Sequence, residues 1–186
     1  MTPLWTKGIA RVKKGLRRFH RSQDGSSTIE FVIMFPVIFT FFLSTFELGM
    51  LETRHVMLDR GLDIAVRAIR LGQIEPVTHD SFKQAVCRAA AIIPDCMNQV
   101  KLEMVAVNPR AWVSMAPRAD CVDRNDPGVP LREFTPGVSN QLMLIRACAL
   151  FDPYFPTTGL GASLPRASGG AYGLISLSSF VIEPRS

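Results

Sequence analysis

The feature that most constrains this chain of 186 residues is a long apolar stretch close to its N-terminus. Residues 31–46 contain no charged side chain, and Glu47 is the only charged residue within residues 31–51. As an α-helix, residues 31–50 extend about 30 Å, which matches the hydrocarbon core of a bilayer. A buried core helix is the alternative, but it would not normally be apolar on every side. We therefore predict a transmembrane helix at about residues 31–50.

The net charge of +5 comes from the short segment that precedes this stretch. Residues 1–25 contain seven Lys and Arg and one acidic residue, whereas the remaining residues contain 14 basic and 15 acidic ones. A nearly neutral outer part argues against a nucleic-acid partner, which needs a basic face on the fold itself. The basic leader favours a cytoplasmic N-terminus, with the bulk of the chain outside the cytoplasm. A cleaved secretory signal is the alternative, but no good small-x-small site follows the apolar stretch.

The junction between leader and apolar stretch reads GSSTIEF, from Gly25 to Phe31. It resembles the processing site of type IV prepilins, in which a membrane peptidase cuts after glycine and the fifth mature residue is glutamate. Cleavage after Gly25 would make Ser26 the new N-terminus and put Glu30 at that fifth position. Ile29 and Phe31, on either side of the acid, resemble the Flp (Tad) branch. The alternative is a flexible juxtamembrane glycine beside an interfacial acid.

The resemblance implies a role for Glu30 in assembly, beside Phe31 on the same helix. In the pilin family such a carboxylate pairs with the free amine of a neighbouring subunit. Ionisable residues within a membrane span are costly and tend to be functional. Glu47, close to the outer border, is expected to reach the membrane interface.

The helical pattern continues beyond the membrane. Apolar residues recur at helical spacing and form one stripe: Leu51, Leu58, Leu62, Ala65 and Ile69. Gly72 is a suitable C-terminal residue, so one helix is predicted over residues 26–72. A short second helix should begin with Asp80 or Ser81 as its N-cap and end at Pro94.

Three strands are predicted after the second helix, at Val100–Val107, Leu142–Leu150 and Leu174–Ile182. In the first strand, Lys101 and Glu103 alternate with apolar residues and face the opposite side. Residues 108–138 are expected to form a long ordered loop. The predicted class is α+β: a leader (1–25), a long helix (26–72), and an extracytoplasmic domain (73–186) with a short helix and a small antiparallel sheet.

This layout resembles the pilin-like fold, and more closely a TadE-like minor pilin or pseudopilin of the Flp (Tad, type IVb-like) pilus system. The resemblance rests on GSSTIEFVIMFP from Gly25, residues 65–72 at the helix end, the Cys87/Cys96 pair, and residues 180–184. It implies a bacterial inner-membrane protein with two kinds of partner: a prepilin peptidase, and other pilins contacted through the N-terminal helix. Processing would allow entry into the pilus. The major pilins are much smaller and lack such an outer domain, so a minor component is expected; TadE-like and TadF-like roles both remain open.

All four cysteines follow the apolar stretch, at positions 87, 96, 121 and 148. An even number outside the cytoplasm is typical of disulfides, and four cysteines allow three connectivities. We favour Cys87–Cys96, across a helix end, and Cys121–Cys148, between the long loop and a strand. Free thiols are the alternative, and a zinc site is disfavoured because the spacings do not match CxxC half-sites.

Enzymatic motifs are missing from the sequence: it contains no GxSxG, HExxH or GxxxxGK. His20, His55 and His79 are scattered, and solvated or interfacial positions are expected for them. We therefore predict no catalytic residue, no cofactor, no metal and no small-molecule substrate. Besides the pilin interpretation, an uncleaved signal-anchored periplasmic interaction module and an anchored hydrolase remain as alternatives.

Overall fold

The computed structural model of the chain describes residues 26–111, 115–126 and 128–184. The fold is α+β, with one long helix, a few short helices and a small antiparallel sheet, as the sequence predicts. In chain order the elements are α1 (Ser26–Arg70), α2 (His79–Ala89), α3 (Cys96–Gln99), β1 (Val100–Val107), β2 (Leu142–Phe151), α4 (Gly159–Ser163), a 3₁₀ turn (Ser168–Gly170) and β3 (Tyr172–Val181).

Helix α1 has 45 residues and ends where the glycine signal predicted. Gly72 has a φ of 68°, a left-handed conformation that glycine adopts without steric cost. Its N–H donates to the carbonyl of Ile69, and the N–H of Gln73 donates to that of Ala68. These bonds satisfy carbonyls that the helix end would otherwise leave unpaired. By contacts, the chain divides within α1 into two compact units, one up to Phe42 and the other from Leu43 onward.

The second unit is built around one hydrophobic core. The predicted apolar stripe of α1 lies against α2 and one face of the sheet. Its fully buried members include Leu58, Leu62, Ala65 and Ile69 from α1, Phe82 and Val86 from α2, and Leu102, Met104, Met143 and Ile145 from the sheet. Leu51 is only partly buried at the edge of this core.

Gly61 explains how α2 approaches α1 so closely. A Cβ atom at this position would lie 2.8 Å from the Cβ of Ala90 and 2.9 Å from the carbonyl oxygen of Val86. Gly61 has a low intrinsic helix propensity, but its missing side chain lets the end of α2 pack against the middle of α1.

The cap and the end of α2 both differ from the sequence prediction. Thr78, not Asp80 or Ser81, is the N-cap: its Oγ1 accepts from the N–H of Ser81, whose Oγ accepts from the N–H of Thr78. This reciprocal capping box satisfies two N–H groups at the helix start. The helix ends at Ala89, five residues before Pro94, because the chain must turn back to bring Cys96 beside Cys87.

The sheet is antiparallel with the order β1-β2-β3. Val100 pairs with Ala149 and Leu142 with Val181, so β2 is the central strand. Strand β1 has the predicted bounds, β2 is one residue longer, and β3 begins two residues earlier, at Tyr172, and ends one residue earlier, at Val181. Gly169 and Gly170 have φ angles of 66° and 77° and make the turn that precedes β3.

The face of the sheet opposite the helices is covered over β1 and β2 by residues from the predicted loop. Lys101 and Glu103 point to this face, as predicted, but both are buried. The Nζ of Lys101 lies 3.0 Å from Oδ1 of Asp120, and Glu103 accepts from the N–H of Asp120 and from Nε of Arg146. The charges of β1 are thus paired rather than solvated.

Candidate functional site

The predicted assembly residues lie at the start of α1. Gly25 falls outside the residues that the structure describes, and Ser26 is the first residue of the helix. Glu30 and Phe31 are exposed on its first turns. Positions 26 and 30 are four residues apart, so an amine at Ser26 and the Glu30 carboxylate belong to one side of the helix.

The rest of α1 up to Phe42 is an apolar surface. Its large hydrophobic side chains from Ile29 to Phe42 are between 46% and 75% exposed. Phe31, Phe35 and Phe39 follow one another at i,i+4 spacing, with ring centroids 5.2 and 5.4 Å apart. The helix is long and apolar enough to cross a membrane, and its most apolar 18-residue window has a mean hydropathy of 2.1 with no residue buried. Such a surface requires lipid or other apolar helices around it.

Glu47 is buried against the rest of the protein and does not extend outward as the prediction required. The residue is only 1% exposed. Its two carboxylate oxygens accept hydrogen bonds from the backbone N–H groups of Tyr154 and Phe155, at 3.2 and 3.0 Å. The loop after β2 folds against α1 here and brings two backbone donors to the acid. Glu47 therefore attaches this loop to the helix at the end of the charge-free stretch.

Arg54, two turns further along α1, makes a second attachment. Its guanidinium group lies over the rings of Phe151 and Tyr154, 4.9 and 4.6 Å from their centroids. It donates to the Tyr172 hydroxyl at 2.8 Å and to the Asp152 carbonyl at 3.1 Å. Burial raises the pKa of Tyr172, so the phenol stays neutral and accepts from Arg54. One cation thus links α1 to the ends of β2 and β3.

The same loop contacts α1 at two further positions. The N–H of Leu160 donates to Oγ of Ser44 at 3.2 Å, and the ring of Phe46 makes edge contacts with Tyr154 and Phe155. Gly161 is buried, and a Cβ atom there would clash with the carbonyl of Phe155. We did not foresee these contacts from the sequence, although the aromatic pair within an uncharged segment was a possible signal.

The two disulfides favoured from the sequence are present. Cys87 is joined to Cys96 across the end of α2, with a Cα–Cα distance of 5.6 Å. Nine helical residues would separate these Cα atoms by about 13 Å, which is the physical reason why α2 ends early. Cys121 is joined to Cys148, with a Cα–Cα distance of 5.2 Å. This bond ties the loop after β1, which covers one face of the sheet, to the central strand β2.

A cleft of about 480 Å³ is lined by residues of α2, α3 and β1 and by Val122, Asp123, Arg124, Asp126, Val129 and Leu131. His79 lies in its wall with a side chain only 13% exposed, so the expectation of a solvated or interfacial histidine is wrong for this residue. Its Nε2 accepts from the N–H of Leu102 at 3.4 Å, and burial lowers its pKa. Burial also lowers the pKa of Lys83. Within the described ranges, no group of three or more His, Cys, Asp or Glu is placed to hold a metal ion.

The fold and the exposed helix define a class: an α+β protein whose long N-terminal helix is a candidate membrane anchor. Residues 25–67 match the family model described as TadE-like protein. This match covers α1 from the Gly25–Ser26 junction to Arg67 and confirms the TadE-like resemblance for this segment. It associates the helix with the Tad pilus system. Comparisons with curated proteins and with solved structures give no match.

Proposed function

We propose that this chain is a minor pilin or pseudopilin of Flp/Tad pilus biogenesis. A prepilin peptidase removes residues 1–25, and the mature chain assembles with other pilins through α1. The observation that carries this proposal is the coincidence of two findings: the TadE-like match at residues 25–67, and the apolar surface that α1 exposes up to Phe42.

The chemistry of the new N-terminus supports assembly through Glu30. Cleavage after Gly25 creates a positively charged amine at Ser26, in a part of the helix that is otherwise apolar. Burying either charge alone among packed helices is costly, whereas pairing the amine of one subunit with the Glu30 carboxylate of the next offsets that cost. Glu30 thereby favours one register between neighbouring subunits.

The charges and cysteines support an orientation. The basic leader would stay in the cytoplasm, the helix would cross the inner membrane once, and the proposed domain 73–186 would lie in the periplasm. Disulfides persist in that compartment, and both bonds belong to this part of the chain. The outer domain then initiates, caps or regulates the pilus and performs no catalysis.

Mass spectrometry of the mature N-terminus tests processing. We expect a chain that begins at Ser26 in cells with the peptidase and at Met1 in cells without it. Gly25→Val should block cleavage, whereas Gly8→Val, a matched change within the same leader, should not. A chain that still begins at Met1 beside an active peptidase would refute the pilin interpretation and support the uncleaved, signal-anchored module.

A pair of glutamate variants tests assembly. Glu30→Ala should be processed and inserted normally, as carbonate extraction would show, but should no longer copurify with other pilins of the system. Glu52→Ala is the matched control, because Glu52 is an exposed acid further along the same helix. Wild-type copurification of Glu30→Ala would disprove the proposed pairing and leave the processing step standing.

A further inference from the structure

We propose that residues 153–165, which we call the 153–165 loop, lie in the outer leaflet of the bilayer and contact lipid directly. The inference rests on the proposed function in one respect only, the insertion of α1 into a membrane. It adds a second membrane-contacting element that is remote from α1 in sequence.

The composition of the loop is unusual for an exposed connection. Its thirteen residues contain no charged side chain, and charges return only at its ends, with Asp152 and Arg166. The sequence PYFPTTGLGASLP combines two aromatic residues, two leucines and small or hydroxylated residues. Tyrosine is enriched where membrane meets water, because its ring is apolar and its hydroxyl is polar.

The attachment points place the loop at membrane level. It is bound to α1 through Ser44 and Glu47. In a span at residues 31–50 these positions lie about 5 and 10 Å beyond the middle, within the roughly 15 Å half-thickness of the hydrocarbon core. A loop fixed at this height meets lipid unless another protein covers it.

Several backbone polar groups of the loop are paired within the protein, which lowers the cost of placing them in an apolar medium. Glu47 accepts from the N–H groups of Tyr154 and Phe155, and Ser44 accepts from that of Leu160. At the far end, one guanidinium nitrogen of Arg166 donates to the carbonyls of Pro156 and Gly161, at 2.9 and 2.7 Å. Arg166 thus pairs two carbonyl groups of the loop, and its long side chain allows its charge to remain near the polar headgroups.

An exposed aromatic surface joins the loop to the span. Phe46 is 45% exposed and Tyr154 is 46% exposed, with ring centroids 5.7 Å apart. Because Glu47 is buried beneath the loop, the apolar surface of α1 continues past the only acid that interrupts it. This continuity identifies the outer leaflet as the occupant.

Fluorescence quenching by spin-labelled lipids tests the inference on the full mature chain in phosphatidylcholine vesicles. Trp112 is replaced by Phe, and one new tryptophan is placed at Tyr154, at Phe41 in the span, or at Val138, which is 68% exposed and lines a cleft with Ile69 at the other end of α1. Tyr154→Trp should lose much of its fluorescence to a headgroup label and less to a label deep in the acyl chain. Phe41→Trp should show the reverse order, and Val138→Trp should lose little to either.

The outcomes separate the two proposals. If Phe41→Trp is quenched but Tyr154→Trp is quenched no more than Val138→Trp, the loop does not contact lipid and the inference fails while the inserted helix stands. If Phe41→Trp is not quenched, α1 is not inserted and the proposed function fails with it. A blue-shifted Tyr154→Trp that no lipid label quenches would show that protein covers the loop, which also overturns the inference.

Discussion

Glu103 and Arg146 are direct neighbours across the β1–β2 ladder, and their side chains form an ion pair of 2.7 Å. The two side chains are only 4% and 11% exposed. They lie on the sheet face that the loop after β1 covers, where Glu103 also accepts from the N–H of Asp120. The pair is therefore a buried one with additional hydrogen bonds, the arrangement in which losing one partner is most costly.

Glu103→Ala should strongly destabilise the protein because it leaves the Arg146 charge buried and unpaired. We expect the free energy of unfolding to fall by about 3–5 kcal/mol. Urea denaturation in detergent, followed by circular dichroism, measures this change. The matched control is Glu183→Ala, which removes an exposed ion pair with Arg70 and should cost at most about 1 kcal/mol. Equal losses in the two variants would show that the Glu103 pair is not effectively buried.

The two disulfides should contribute unequally to stability. In the chain-entropy model the stabilisation grows with the length of the closed loop, and the bonds span 9 and 27 residues. Replacing Cys121 and Cys148 by Ser should cost about 3.6 kcal/mol, and replacing Cys87 and Cys96 about 2.7 kcal/mol. Denaturation of both double variants under non-reducing conditions measures which variant loses more free energy of unfolding. A larger loss for the Cys87/Cys96 variant would mean that native-state strain outweighs chain entropy.

Gly61→Ala should destabilise α1 even though alanine is the better helix former. The new methyl would meet Ala90 and the Val86 carbonyl at 2.8–2.9 Å, so α1 and α2 would have to separate. Overpacking of this kind costs about 1–3 kcal/mol. Gly49→Ala is the control in the same helix, since nothing lies within 4 Å of a Cβ there. It should be neutral or stabilising by up to about 1 kcal/mol, and a similar loss in both variants would contradict the close approach of α2.

Acidification should destabilise the protein through His79. Burial lowers its pKa below the usual 6.5, outweighing the hydrogen bond with Asp80 that raises it. The unfolded chain then binds a proton more readily than the folded one. The stability from neutral His79 is thus fully present above pH 6.5 and is lost as the pH falls through 6.5 towards the lower folded pKa. His79→Gln should flatten this slope, whereas His55→Gln retains His79 and should retain the slope. If the free energy of unfolding of His79→Gln depended on pH as that of the wild type does, another group would be responsible for the pH dependence.

The parts of the fold that are set by local pattern could be predicted from the sequence. Strand β1 alternates apolar and charged side chains from Val100 to Met104, and the structure confirms its predicted bounds. Gly72 marks the end of α1 through its own conformation. The N-cap of α2 was missed although its signal is local, because Asp80 and Ser81 are by type better N-cap residues than Thr78.

The features that depend on distant residues could not be predicted in the same way. Glu47 looks like an interfacial acid until the N–H groups of a loop 108 residues away are placed beside it. Glu103 looks solvated until Arg146, 43 residues away, is paired with it. The spacing of residue types along the sequence does not indicate which distant residues will pair. Gly25 and the assembly role of Glu30 stay predictions, because they concern a cleavage and a neighbouring subunit.

The Cys121–Cys148 bond has a practical consequence for following this protein in cells. Residues 122–147 lie between its two ends, so a protease that cuts once among them leaves two fragments joined by sulfur. A chain nicked in this way keeps its full apparent mass on a non-reducing gel and separates only after a thiol is added. Paired gels with and without reductant therefore distinguish intact molecules from clipped ones.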